Sequence, residues 1–204
     1  MNARAPYTSV LRVDLAAYAE NLRALRERLP EECGLMPVVK ANAYGLGVVP
    51  IARRAVDEGA NMLAVATVAE GIELREAGIE APILVLVQTG KHEFEAAIRH
   101  KLRLSISDFD LAEKLGDEAR KAKSVVNVHC EIDTGMGRQG FRVDDAAAEL
   151  RNLTRISHVD IEGVYTHFAS AEHPEDGFAD QQLRAFRQLM RELDSAGVPY
   201  EMAH

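Results

Sequence analysis

Lys40 stands at the end of an apolar run and opens a loop of small residues that extends from Pro37 to Gly47. A lysine at the tip of a buried strand is costly to desolvate while charged, so its ammonium tends to lose its proton. The resulting neutral amine can attack an aldehyde and form a Schiff base. The glycines of this loop would let the backbone and the Tyr44 hydroxyl approach whatever the lysine holds. A strand-end lysine that merely extends to water is the alternative, and the spacing alone leaves it open.

A second candidate, Arg138, lies in a glycine-rich loop that follows a later apolar run. The segment reads Glu131-Ile132-Asp133-Thr134-Gly135-Met136-Gly137-Arg138-Gln139-Gly140-Phe141. The guanidinium of Arg138 is a rigid fork that suits a carboxylate or a phenolate oxygen. Glu131 offers an anion that could pair with Arg138 directly, because an unpaired, partly buried arginine is costly. An arginine in a structural loop and a solvent-facing glutamate are the alternatives.

A third candidate, His167, follows the run that ends in Tyr165-Thr166. Its imidazole can present its face to a flat ring or donate a hydrogen bond, although a strand-end histidine with its hydrogen bonds satisfied is the alternative. The remaining histidines and the two cysteines, Cys33 and Cys130, have no metal-ligand spacing, so no metal site is predicted.

The elements that must position these residues alternate between strand and helix patterns. Strands are predicted at 37–40, 61–67, 83–87, 102–106, 125–132, 157–167 and 200–204, with helices between them and an opening helix from Leu15 to Leu29. Because the strand-helix unit recurs about every 20–35 residues, we predict an α/β fold of the (β/α)8 TIM-barrel type, with about seven of the eight strands present. Such barrels build their sites at the carboxyl ends of the strands, where all three candidates would lie.

The bulk composition restricts the function classes. A formal charge of −8 argues against nonspecific nucleic-acid binding and against an anionic membrane surface. No stretch is long and apolar enough for a membrane span, and Met1 to Pro6 lacks the apolar core of a signal peptide. We therefore expect a cytoplasmic protein without a nucleic-acid or membrane partner. The predicted strands end at seven, so we expect residues 1–204 to be an incomplete barrel domain of a longer protein.

The motifs resemble those of one known family. Val39-Lys40-Ala41-Asn42-Ala43-Tyr44-Gly45 closely resembles the pyridoxal-phosphate lysine segment of the alanine racemase family. Asp133-Thr134-Gly135-Met136-Gly137-Arg138 resembles the family's arginine segment, and Thr166-His167-Phe168 and Met202-Ala203-His204 also have counterparts there. The resemblance covers essentially all 204 residues.

The resemblance implies roles for the candidates. Lys40 would hold pyridoxal 5′-phosphate (PLP) as a Schiff base and act as acid or base on one face of the substrate. Arg138 would contact the phenolic oxygen of PLP and the substrate carboxylate, and His167 would pack against the pyridine ring. Tyr44 would also bind the cofactor, while Glu131 and His204 would support the site.

The resemblance further implies a two-base alanine racemase that interconverts L-alanine and D-alanine and supplies D-alanine for peptidoglycan. The family's second base is a tyrosine of a C-terminal β-domain, which enters the site from the partner subunit of a homodimer. We expect that domain, and the eighth strand, to lie outside residues 1–204, so this piece alone should be inactive.

Two positions depart from the family pattern. Many racemases carry a carbamylated lysine where this chain has Glu131, so the glutamate would supply the anion without modification. Leu46 replaces a common histidine, which removes no group that Schiff-base chemistry needs. A stand-alone PLP-binding barrel protein, or a broad-specificity amino-acid racemase or decarboxylase on the same barrel, is the alternative.

Overall fold

The computed structural model of the protein describes residues 9–204; the segment 1–8, including residues 1–6, for which no signal peptide is predicted, lies outside the described residues. Within that range the helical segments are α1 (Leu15–Arg26), α2 (Lys40–Tyr44), α3 (Val48–Asp57), α4 (Val68–Glu76), α5 (Phe94–Arg99), α6 (Phe109–Lys121), α7 (Ala146–Leu153) and α8 (Phe178–Ala196). The strands are β1 (Leu63–Val65), β2 (Ile83–Val85), β3 (Arg103–Ile106), β4 (Val126–Asp133), β5 (Phe141–Arg142), β6 (Val159–Thr166) and β7 (Met202–Ala203). Short 3-10 turns cover Lys91–Glu93 and Pro174–Asp176.

The strands form one parallel sheet whose order follows the chain, β1-β2-β3-β4-β6-β7, with β5 beside the end of β4. A doubly wound sheet would reverse its strand order at a switch point, whereas a βα-barrel keeps sequential strands adjacent. With the bridge that Val38 forms to β1, the sheet has seven positions in barrel order. The predicted barrel fold is therefore confirmed.

Alternation along the strands divides the sheet into two faces. Leu63, Val65, Ile83 and Val85 belong to the large core between the sheet and the outer helices. Their neighbours Met62, Ala64 and Leu84 form a separate small cluster on the other face, which is the barrel interior. All residues of β1 and β2 are buried, as expected for parallel strands that are covered on both faces.

Capping residues fix the starts of two helices. Thr67 and Glu70 form both hydrogen bonds of a capping box at the start of α4. Asp108 caps α6 by accepting a hydrogen bond from the Leu111 backbone N–H at 2.7 Å. These caps fix where the loops at the carboxyl ends of the strands turn into helices.

The predicted strand at 37–40 is wrong in its second half. Val38 forms only an isolated parallel bridge to Ala64, and the chain turns into α2 at Lys40. The next four residues, Ala41 to Tyr44, have φ angles of 51–55°, so α2 is a left-handed turn. The Ala43 N–H donates to the Val39 carbonyl at 2.9 Å, which folds the chain back before the strand can continue.

The short strand β5 was not predicted, because its two residues carry too little sequence pattern to be distinguished from loop. It pairs with Ile132 and Asp133 and returns the glycine-rich loop to the sheet. Across residues 9–204, no helix combines the length and the apolar character that crossing a membrane would require.

Candidate active site

The candidate residues lie at one end of the barrel, which we call the reactive face. Because all strand pairs are parallel, the carboxyl ends of the strands, and the segments that follow them, lie together at this end. Lys40 follows the bridge at Val38, Arg138 lies between β4 and β5, and His167 follows β6. This is the face where βα-barrels place their reactive groups.

Lys40 is partly buried, and it lies between the buried residue Val39 and the left-handed turn of α2. Val39, immediately before it, is 1% exposed and donates its N–H to the Ala64 carbonyl at 2.8 Å. The left-handed turn follows directly after it. The main chain on both sides of Lys40 is therefore fixed, and only the flexible side chain is free to move.

Tyr44 ends the left-handed turn with its side chain on the surface, 64% exposed. His167 is also exposed, and its backbone carbonyl accepts a hydrogen bond from Gln182 Nε2 at 3.0 Å. In the described part of the chain, neither ring is hydrogen-bonded to another protein group. The rings of Tyr44 and His167 are therefore accessible to a ligand at the carboxyl-end side of the barrel.

The loop that carries Arg138 is organised by Asp133. One carboxylate oxygen of Asp133 accepts hydrogen bonds from the backbone N–H groups of Gly135 and Gly137 at 2.9 and 3.0 Å. Burial opposes ionisation, but these backbone donors hold the pKa of Asp133 below its usual value. Gly140 has a φ of 124°, and a Cβ there would lie 2.6 Å from the Asp133 nitrogen, so only glycine permits this close return.

Glu131 is 3% exposed, and its carboxylate forms hydrogen bonds in addition to an ion pair with Arg138. Its Oε2 accepts hydrogen bonds from the Tyr165 hydroxyl, at 2.8 Å, and from Gln139 Nε2. The distance from its Oε1 to an Nη atom of Arg138 is 3.8 Å, which is an ion pair but too long for a hydrogen bond. Glu131 and Arg138 are thus brought together, with the carboxylate held mainly by Tyr165 and Gln139.

A chain of buried polar groups continues from this point into the barrel interior. The Tyr165 hydroxyl also lies 2.8 Å from the Ser105 hydroxyl, and its ring is stacked on His204 with centroids 4.7 Å apart. His204 Nε2 lies 2.8 Å from His129 Nδ1. His129 Nε2 in turn lies 3.0 Å from a carboxylate oxygen of Glu162.

The pairing partners assign the tautomers in this chain. Glu162 is ionised: although burial opposes it, hydrogen bonds from Arg103 and His129 hold the pKa of Glu162 below its usual value. A carboxylate can only accept, so His129 donates through Nε2 and accepts through Nδ1 from His204 Nε2–H. Burial lowers the pKa of both histidines, that of His204 to about 3 with help from His129, so both rings are neutral at neutral pH.

Gly163 makes room for this histidine pair. A Cβ at Gly163 would lie 2.3 Å from His129 Nδ1, which is the atom that accepts from His204. His129 can occupy the barrel interior beside β6 only because Gly163, its neighbour on that strand, has no side chain.

The structure connects the predicted residues Glu131, Arg138 and His204 through Tyr165, while His129, Tyr165 and Gln139 were not among the predicted site residues. One signal was available: His129 and Glu131 alternate on a strand that is otherwise apolar at its centre, so both point into the barrel. Lys40, Tyr44 and His167 share the face with these residues, and within residues 9–204 they have no direct hydrogen bond to them.

Comparison with known proteins gives a consistent result. The family model described as "Alanine racemase, N-terminal domain" matches residues 13–204. The chain is 42% identical over 192 residues to an alanine racemase of Symbiobacterium thermophilum, which covers 94% of this chain and 51% of that protein. It is 36% identical to an alanine racemase of Desulforamulus reducens, with 94% and 52% covered.

Solved structures agree in fold. The crystal structure of an alanine racemase from D-cycloserine-producing Streptomyces lavendulae superposes with a TM-score of 0.88 at 36% identity, covering 94% of this chain and 51% of that one. An alanine racemase of Clostridium difficile gives a TM-score of 0.88 at 35% identity, with 91% and 49% covered. The chain spans about half the length of the relatives that it matches.

Proposed function

The chain belongs to the alanine racemase family, and from this premise we propose that the full-length protein containing it interconverts L-alanine and D-alanine with PLP as cofactor. The observation that carries the proposal is that two groups follow carboxyl ends of strands in the same parallel sheet: Lys40, whose main chain is fixed, and Arg138, whose guanidinium forms an ion pair with a buried carboxylate. One group is suited to an aldehyde and the other to a carboxylate.

The residues of this face fit PLP by their chemistry. A primary amine can hold the aldehyde, the exposed rings of Tyr44 and His167 can contact a flat aromatic ring and its substituents, and Arg138 can meet an anionic oxygen. When bound, the cofactor would supply an electron sink for the carbanion that forms when the α-proton leaves.

Lys40 is proposed to serve as the proton carrier on one face of the substrate. Its side chain leaves the main chain at a point fixed by Val39 and by the left-handed turn, so the terminal amine can reach only the region around this end of the barrel. A group positioned in this way removes or returns a proton with an advantage of about 10²–10⁴ over solvent.

Tyr165 is unsuited to be the second base. Its hydroxyl lies below the face, donates to Glu131 and meets Ser105. Burial and the nearby Glu131 anion raise the pKa of Tyr165 far above its usual value, so it cannot readily give up its proton. We propose instead that the second base is a tyrosine of the C-terminal β-domain, as the family resemblance implies.

Arg138 is proposed to bind the substrate carboxylate. Half of its side chain is exposed, so the guanidinium can meet a ligand while one Nη atom stays within 3.8 Å of Glu131. The carboxylate below it balances part of its charge and keeps the fork directed at the face. The finer expectations of homodimer, cytoplasmic location and supply of D-alanine for peptidoglycan belong to the same proposal.

The test is a D-alanine assay on the full-length protein with L-alanine as substrate, with and without added PLP. We expect D-alanine to form only when PLP is present, and Lys40→Arg to abolish it. Lys114→Arg, which makes the same change at an exposed position on α6, serves as the control and should retain activity. A protein that binds PLP without forming D-alanine would contradict the proposal and would favour a PLP-binding barrel without racemase activity.

A further inference from the structure

The left-handed turn after Lys40 needs an external support. Ala41, Asn42, Ala43 and Tyr44 all have φ angles between 51 and 55°. Residues with a Cβ adopt this region singly, and a run of four is disfavoured at every position. The turn persists only where surrounding groups determine it.

Glu70 provides support at the start of the turn. Its Oε1 accepts a hydrogen bond from the Ala41 N–H at 2.7 Å. Its Oε2 accepts from the Ala66 N–H at 2.7 Å and from the Thr67 N–H at 3.2 Å. The two oxygens of one carboxylate therefore join the residue after Lys40 to the loop that follows β1.

Asn42 provides support at the other end. Its Oδ1 accepts a hydrogen bond at 2.7 Å from the N–H of Val48, the first residue of α3. Its backbone carbonyl accepts a hydrogen bond from the Gly47 N–H at 3.0 Å. Asn42 lies within the turn and ties it to the next helix, whereas Glu70 lies on a different element. Among the side-chain hydrogen bonds of residues 9–204, the one that Glu70 accepts from Ala41 joins the turn to the loop after β1.

We propose that Glu70 is a positioning residue for Lys40. By holding the Ala41 amide, its Oε1 fixes the main chain at the lysine and thus the direction from which Nζ reaches its target. The helix cap uses only Oε2 of Glu70 together with Thr67, so the bond from Oε1 is additional to the capping function. The effect on turnover rests on the proposed function; the effect on the loop does not.

Glu70→Gln separates these two functions. Glutamine is accepted at this position of a capping box, but it has a single oxygen and its amide nitrogen can only donate. A glutamine that caps α4 would therefore present N–H to the Ala41 N–H. Glu73→Gln is the matched control, since it removes the same charge from an exposed position on the same helix.

The experiment measures hydrogen exchange of the full-length protein without cofactor, followed by kinetics with PLP. In Glu70→Gln we expect the amides of residues 41–47 to exchange about tenfold or more faster, while those of 71–76 keep their protection. With PLP and alanine, we expect kcat to fall about tenfold with KM changed less than twofold, because a displaced amine affects the reacting step.

Two results would overturn the proposal. One is unchanged exchange of residues 41–47 in Glu70→Gln relative to Glu73→Gln. The other is faster exchange throughout α4, which would mean that Glu70 acts only as a helix cap. A protein that shows the expected exchange but no racemisation even in wild type would sink the proposed function and leave the link between Glu70 and the turn intact.

Discussion

Replacement of Glu131 tests how Arg138 is held. The carboxylate accepts from Tyr165 and from Gln139 and forms the ion pair with Arg138. Glu131→Gln keeps the shape and leaves one oxygen, which can still accept from Tyr165. The same oxygen still faces Gln139 Nε2, because Tyr165 and Gln139 share it, whereas the new amide faces the guanidinium, and both of these groups are donors.

The expected loss of stability is modest. A hydrogen bond to a charged group contributes about 1.5–3 kcal/mol, but burial of the carboxylate already costs several kcal/mol that Glu131→Gln would recover. The ion pair adds at most about 1 kcal/mol, because half of the Arg138 side chain is exposed. We therefore expect a net loss of about 1–2 kcal/mol, the scale of one such hydrogen bond.

The expected loss of activity is larger than the loss of stability. Without its anion, the guanidinium is no longer held over the face, and a displacement of about 1 Å at a reacting group can cost roughly 10²-fold. We expect kcat/KM for alanine to fall about 10–100-fold in Glu131→Gln and in Glu131→Ala, with a raised KM in both.

The assay combines urea unfolding with alanine racemisation by the full-length protein, with Glu113→Gln, an exposed position on α6, as the control. Activity should be the same in buffer depleted of carbon dioxide, because the anion here is a glutamate and not a carbamate. Unchanged kcat/KM in both Glu131 variants would show that another group orients Arg138.

Three further predictions concern the interior and the extent of the domain. Gly163→Ala should lower the free energy of unfolding by about 1–3 kcal/mol, because its Cβ would displace His129 from His204; an unchanged urea midpoint would contradict this. The unfolded chain protonates His204 near pH 6.5 while the folded protein does so only near pH 3, so stability should fall by about 1.4 kcal/mol per pH unit for this group as the pH drops below 6.5. Urea midpoints at pH 7.5 and 5.5 test this, and the difference should shrink in His204→Gln. Residues 1–204 expressed alone should form D-alanine at least about 10²-fold more slowly than the full-length protein, because we propose that the second base belongs to a domain outside these residues; racemisation at the full rate would contradict the assignment of groups.

The fold could be predicted because its signals are local and repeated. Runs such as Ile83–Val85, the capping box at Thr67 and the glycine after α8 each mark an element boundary without knowledge of the rest. The left-handed turn could not be predicted from propensities, because alanine and tyrosine do not favour it. Its conformation depends on the contact with Glu70, which is 29 positions away from Ala41.

The site could be predicted only where its chemistry coincides with a motif. Lys40 and Arg138 are conspicuous in their loops, whereas Tyr165 and His129 are single polar residues in strands. Their partners come from β3, β6 and β7, and pairing across a sheet depends on register. The register shift between Val128 and His129 is a further feature that strand periodicity alone does not indicate.

The central claim is that Lys40 is the residue that binds the cofactor covalently. The direct measurement is borohydride reduction of the PLP-loaded full-length protein, followed by mass spectrometry of its peptides. We predict a stable cofactor adduct on the peptide that contains Lys40 and its absence in Lys40→Arg. An adduct on a different lysine, or no adduct on any peptide, would contradict it.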